Sequence, residues 1–348
     1  MTNKTWCIGF LLLMMLALLF VGGMTAVIDP FFHYHAPLDV LNYQIYDQRY
    51  QNDGISKHFD YDAIITGTSV TENFKTSEFD ALFHADSIKV PFAGGSFREI
   101  NDNLVRALEK NSGIRYIVRS LDMYKILEDK DQLEEGFNYP TYLYDDRLLN
   151  DVSYLFNKAV FLQNTVITLR HTMLGYETTP FDEYSNWMKK AQFGRQMLPK
   201  ESGEKAEEIS ILTDADWKII HENLNQNVIS LIEKYPDVQF YYFFPPYSIY
   251  WWAELEREGA LEKQLNILRE TTGMLVGYEN LHLFAFINEE WITNPDLYKD
   301  TVHYHADVNT QMLKYMSEDS QRLTLDNYEA YWNRMEDYLI TYPYETLF

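Results

Sequence analysis

The chain has 348 residues, with 29 Lys+Arg against 52 Asp+Glu, a formal net charge of −23. No basic run occurs anywhere, so Lys/Arg clusters that could neutralise phosphates are missing and nucleic acid is excluded as a natural partner. Hydrophobic residues make up 46% and aromatics 16%, including 27 Tyr and 21 Phe, which is ample for a packed core and excludes an intrinsically disordered chain.

The first element in chain order is the run from Trp6 to Ile28, 23 residues without a charge. As a helix it would be about 34 Å long, enough to cross a bilayer. It exceeds the usual apolar length of a signal peptide, and Met24-Thr25-Ala26 is a poor cleavage site, so residues 1–28 read as an uncleaved transmembrane anchor. Lys4 precedes the span and Asp29 and Asp39 follow it. The positive-inside tendency then puts residues 29–348 on the outer face of a cell membrane as the body of a single-pass protein. That body holds 28 basic and 52 acidic residues, a formal −24. Asp29-Pro30-Phe31 reads as a rigid exit from the bilayer. The only cysteine, Cys7, lies within the span, so no intrachain disulfide is possible and any metal would depend on His and carboxylate ligands.

Beyond the span, short β-branched or aromatic runs at 62–66, 87–90, 115–118, 238–244 and 281–286 predict strands. Apolar residues at three-to-four spacing predict helices at 72–83, 97–111, 214–235 and 253–272. This βαβ rhythm predicts a three-layer α/β/α sandwich on a mostly parallel sheet. The charged, aromatic stretch 124–213 breaks the rhythm and reads as an insertion over the sheet edge with one helix near 152–174. Another helix is expected at 325–342. No linker divides the chain, so 29–348 reads as one domain.

Four places carry candidate chemistry. Ile64-Ile65-Thr66-Gly67-Thr68-Ser69 is a buried strand followed by a small hydroxyl residue. That pattern exposes the Ser69 hydroxyl at the carboxyl edge of a parallel sheet, where open α/β folds bind ligands. The bland alternative makes Ser69 an N-cap, with Glu72 completing a capping box. Asp300 and His303, three apart after the last predicted strand, can set a carboxylate beside an imidazole acting as a base. After Pro245-Pro246, the residues Tyr247, Tyr250, Trp251 and Trp252 leave a strand at the same edge, either as a platform for sugar rings or as packing. The two His-Tyr-His triplets, 33–35 and 303–305, offer a weaker metal-dependent alternative. No cofactor is implied.

Together these segments resemble the SGNH hydrolase superfamily of GDSL-type esterases and acyltransferases, over residues 60–316 minus the insertion. The resemblance implies Ser69 as nucleophile, His303 as base and Asp300 as its orienting carboxylate. Ala93-Gly94-Gly95-Ser96 matches the second block, so Gly94 or Gly95 would donate to the oxyanion alongside the Ser69 N–H. The first block reads Gly67-Thr68-Ser69 where the family has Gly-Asp-Ser, and Arg119-Ser120-Leu121-Asp122-Met123 lacks the Asn of the third. Such departures are shared with a divergent membrane-anchored branch that includes alginate acetyltransferases and the D-alanyl transfer protein of teichoic acid synthesis. That likeness implies a serine-dependent acyl esterase or O-acyltransferase acting on a surface glycan or cell-wall polymer beside a membrane-bound O-acyltransferase. The competing expectation is a catalytically inactive glycan-binding or assembly subunit.

Overall fold

Five strands form where the β-branched and aromatic runs predict them. They are β1 (Ala63–Gly67), β2 (Ser87–Pro91), β3 (Tyr116–Ser120), β4 (Gln239–Phe244) and β5 (Leu281–Ala285). Nearly every residue in them is buried, as expected of strands covered on both faces. All five pair in parallel in the order β2-β1-β3-β4-β5, and a two-residue strand, β6 (Arg322–Leu323), adds antiparallel to β5. Two residues are too few for a sequence pattern, so β6 was not expected. The protein is thus an α/β fold on a mostly parallel sheet. The strand order reverses at β1, which runs outward to β2 on one side and to β3 on the other. A crevice opens at such a switch point, at the carboxyl ends of the strands.

The computed structural model describes residues 3–134, 136, 139–145, 147–201 and 203–348. Residues 1 and 2 of the expected anchor, and positions 135, 137, 138, 146 and 202 of the expected insertion, lie outside the described residues. The chain divides into two compact units, one of residues 1–60 with 135–184 and the other of residues 61–134 with 185–348. The second holds the sheet. The stretch expected as one insertion, 124–213, is therefore shared: its middle clusters with the N-terminal residues and its ends with the sheet.

In the first unit, the apolar run is one helix, Asn3–Ile28, with most of its side chains exposed. It is long and apolar enough to cross a membrane. Asp29 then takes the left-handed conformation, φ 45°, and its carboxylate accepts from the backbone N–H of His33, Tyr34 and His35 and from the Tyr154 hydroxyl. This buried carboxylate closes the turn that follows the helix and so fixes the direction in which the chain leaves it.

In the sheet unit, helix Phe97–Lys110 starts on Ser96, whose hydroxyl accepts from the Glu99 N–H. A continuous helical run from Asp214 to Lys234 carries a π turn at Asn225–Ile229. The helix expected at 253–272 is two, Ile249–Arg257 and Leu261–Leu275, because Gly259 at φ 64° terminates the first. The C-terminal helix spans Tyr328–Thr341, with Trp332, Met335 and Leu339 buried.

Candidate active site

Every feature of this site lies within the sheet unit. β1 ends at Gly67, whose φ of 141° is a conformation L side chains rarely adopt. A Cβ there would stand 2.3 Å from the Ser120 Oγ and 2.6 Å from the Thr71 Cγ2. The chain next makes a single 3₁₀ turn, Ser69–Thr71, and the following helix begins only at Thr76. This corrects two expectations. The helix read at 72–83 spans only Thr76–Phe83, and Ser69 does not cap through its side chain.

The Ser69 hydroxyl is engaged elsewhere: its Oγ lies 2.7 Å from the His303 Nε2. The other imidazole nitrogen, Nδ1, lies 2.8 and 2.9 Å from the two Asp300 oxygens. Residues 234 apart in sequence are thereby joined as hydroxyl, imidazole and carboxylate. Asp300 also accepts from the backbone N–H of Val302 and His303, which fixes the carboxylate where the imidazole meets it. Burial pushes the Asp300 carboxyl up, but the His303 hydrogen bond and charge and these backbone donors outweigh it, leaving the group below its ordinary value. It is the anion that faces His303.

The loop carrying Asp300 and His303 is closed by a bridge between Tyr298 and Tyr304, both buried. It docks on the segment after β4, where the Tyr298 hydroxyl donates to the Pro246 carbonyl at 2.7 Å and the Ser248 N–H to the Thr301 carbonyl. The Ser69 turn is held as firmly. Lys89, fully buried on β2, donates to the Glu72 and Phe74 carbonyls. Asn309 donates to the Val70 carbonyl, and the Trp187 indole reaches the Ser69 carbonyl at 3.5 Å.

Next to the Ser69 turn, bonded to Thr68, lies a buried carboxylate outside the sequence motifs. Asp122, 1% exposed, accepts from the hydroxyls of Thr68 (2.9 Å), Ser120 (2.7 Å) and Tyr247 (2.5 Å). The Ser120 hydroxyl in turn accepts from the Thr68 N–H. Asp122 thus stands two residues past the end of β3. A carboxylate at the carboxyl end of a buried strand was the available signal. Trp187, whose ring meets His303 edge-on with centroids 5.6 Å apart, gave none, because it sits in a stretch without periodicity.

The turn after β2 separates the two glycines of the second block. The Phe92 N–H donates to the Gly67 carbonyl, which brings the turn beside the end of β1. Gly94 has φ 63°, as the third position of such a turn requires. The Gly95 N–H donates to the Phe92 carbonyl at 2.7 Å, so Gly95 is engaged within the turn and is not an oxyanion donor. The Ser69 and Gly94 amides have no acceptor among the described residues.

The aromatic platform expected after β4 is not a surface. Tyr247 and Trp252 are fully buried and Tyr250 and Trp251 nearly so, which leaves no face for a sugar ring. Tyr247 supports Asp122, and Tyr250 donates to the Leu347 carbonyl. An open cavity of about 360 Å³ lies instead beside Trp187, lined also by Lys190, Ala191, Gln192, Met197 and Lys299. The Lys299 amine stands 4.0 Å above the Trp187 ring. The histidine triplets find other roles: His33 meets Asp151, His35 the Ala36 carbonyl, and His305 caps the helix Ala306–Ser317. Among the described residues no group of three or more His, Cys, Asp or Glu could hold a metal ion.

No family model and no curated protein matches the chain in sequence. Among solved structures it is similar to one described as "a putative platelet activating factor from Streptococcus pneumonia", with 10% identity and a TM-score of 0.37 over 78% of this chain and 90% of that one.

Proposed function

We propose that this chain is a membrane-anchored serine-dependent acyl esterase or O-acyltransferase whose substrate is a cell-surface polysaccharide or cell-wall polymer. The observation that carries the reading is the hydrogen-bonded series from Ser69 through His303 to Asp300, at 2.7 and 2.8 Å. In this mechanism His303 Nε2 takes the Ser69 proton as Oγ attacks the acyl carbon. Asp300 holds the imidazole by its Nδ1–H and stabilises the imidazolium. The Ser69 and Gly94 amides receive the oxyanion. Collapse of the tetrahedral intermediate expels the first alcohol, which takes the proton from His303. Water or an acceptor hydroxyl, deprotonated by His303, then releases the acyl group from Ser69. The resemblance to the membrane-anchored SGNH branch, with the helix Asn3–Ile28, favours transfer to a glycan with the acyl group supplied by a membrane-bound O-acyltransferase.

The cavity lined by Trp187, whose ring meets His303, is the seat this reading gives to a part of the substrate. A serine-reactive fluorophosphonate applied to the full-length protein in detergent tests the chemistry. Labelling is expected in the wild type and lost in Ser69→Ala and His303→Ala. A wild type that takes no label would favour the inert glycan-binding or assembly subunit, and undiminished labelling of Ser69→Ala would refute Ser69 as the nucleophile.

A further inference from the structure

The unit formed by residues 1–60 and 135–184 exposes an unusual amount of apolar surface. Leu148, Leu149, Val152, Phe156, Leu162 and Met173 are all exposed, Leu149 by 93% and Met173 by 86%. Single exposed apolar residues need no explanation, but a run of them within 30 residues marks a surface that meets something apolar.

Three observations identify the occupant. First, this segment is joined to the apolar helix Asn3–Ile28 within the same unit. Of that helix only Gly22, Thr25 and Ile28 are buried. The Phe156 ring lies 2.9 Å from where a Gly22 Cβ would stand, and the Thr165 hydroxyl lies 3.5 Å from that of Thr25. Second, the depth fits. Gly22 is six residues before the helix end, about 9 Å along the axis at about 1.5 Å per residue. A bilayer core of about 30 Å takes about 20 of the 23 uncharged residues, so Gly22 and the Phe156 ring on it lie about 5–9 Å inside the hydrocarbon edge, the depth to which an interfacial segment sinks. Third, the charge is inverted. Residues 148–174 hold Lys158 and Arg170 against Asp151 alone, a formal +1 in a chain of −23. Asp151 is itself buried and accepts from Tyr34.

Basic residues interspersed with exposed apolar ones, and almost no acids, are the composition of a segment lying in the interface of an anionic membrane. We infer that residues 148–174 are a second membrane contact, seated on the bilayer surface against the end of the spanning helix. This rests on the reading of Asn3–Ile28 as a membrane span and is independent of the catalytic proposal.

The test uses the full chain with Cys7→Ser, reconstituted in phosphatidylglycerol–phosphatidylethanolamine vesicles. Single cysteines replace Leu149, Leu162 or Met173, with Leu16 as a mid-span reference and the exposed Leu325 of the sheet unit as an aqueous reference. Each carries an environment-sensitive fluorophore. The expected result is blue-shifted emission and quenching by spin-labelled lipid at positions 149, 162 and 173, and neither at 325. Aqueous spectra at those three sites with position 16 shielded would overturn the inference alone. Aqueous spectra at position 16 as well would overturn the membrane span with it. Shielding in native membranes but not in pure lipid vesicles would overturn the lipid as occupant and indicate a protein in its place.

Discussion

Ser69 has an ordinary side chain made special by what faces it, and the two partners that matter act at different distances. His303 touches the hydroxyl, whereas Asp300 acts through the imidazole. In the proposed mechanism Ser69→Ala lowers turnover of an activated ester at least about a thousandfold. Asp300→Asn, which keeps the size but misorients the ring, lowers it by about a hundredfold or more. Equal rates for wild type and Asp300→Asn would remove Asp300 from the mechanism. The same carboxylate has a pH signature. Its folded value lies below the ordinary carboxylate range of about 4, so protonation favours the unfolded chain. Its contribution to stability is full above that range and fades as pH falls through the lowered folded value. Denaturant unfolding of wild type and Asp300→Asn should therefore give a stability difference that is level above about pH 5 and narrows as pH falls from there through the lowered folded value; a gap that widens on acidification would contradict the assignment. Asp122 belongs to a different class of effect. Replacing it by Ala leaves the Thr68, Ser120 and Tyr247 hydroxyls without their buried acceptor. At about 1–3 kcal/mol for each unsatisfied group, a loss of about 3 kcal/mol or more in stability is expected by chemical denaturation. A smaller loss would mean that water replaces the carboxylate. Ser69 was legible because it stands just past a predicted strand end, and Asp300 and His303 because their spacing of three can set a carboxylate beside an imidazole. Asp122 and Lys89 were not, because their roles depend on hydroxyls and carbonyls brought together only by the sheet.

At the scale of elements, the site is made by where strands stop. β1 is at the switch point of the sheet, and the turn at its end is pressed against β3 through Ser120. The alternation of buried runs and amphipathic helices fixed five strands to within about two residues because burial on both faces demands uninterrupted apolar sequence. The helix after β1 was misread. Apolar spacing predicted a helix from residue 72, yet Lys89 and Asn309 take up the carbonyls of Val70, Glu72 and Phe74, and a helix forms only from Thr76. The aromatic stretch after β4 was misread for a related reason: composition cannot tell a platform from a support. Gly67 tests how closely the β1 end is fitted. Gly67→Ala forces a Cβ into Ser120 and Thr71 at a backbone angle that an L residue resists. The combined strain and overpacking should cost about 2–4 kcal/mol. Because the displaced atoms carry Thr68 and Ser69, esterase activity should fall further than the folded fraction at the same temperature. Activity that merely tracks the folded fraction would show that the turn tolerates displacement.

At the scale of the whole molecule, the distribution of charge and apolar surface argues for one topology. The apolar helix is preceded by Lys4 and followed by a body of formal charge −24, and the basic residues of 148–174 belong to the same unit as that helix. An acidic body has no attraction for an anionic leaflet, which is why the inferred second contact is sought in this basic, apolar segment. If the body lies outside the cell, protease added to intact cells with permeable walls should digest the sheet unit and leave a short membrane-embedded fragment from the N-terminus. Protection of the unit until the membrane is breached would reverse the orientation and remove surface glycans from reach. The charge also bears on the acceptor. A polyanionic polymer approaching this body is repelled over a Debye length of about 10 Å at 0.1 M salt, while Lys190 and Lys299 line the cavity beside Trp187. Turnover on an anionic acceptor should therefore rise as salt is first added and screens the body, whereas turnover on a neutral acceptor of similar size should stay flat. A flat response for both would mean that the acidic surface lies too far from the path of the substrate to affect it.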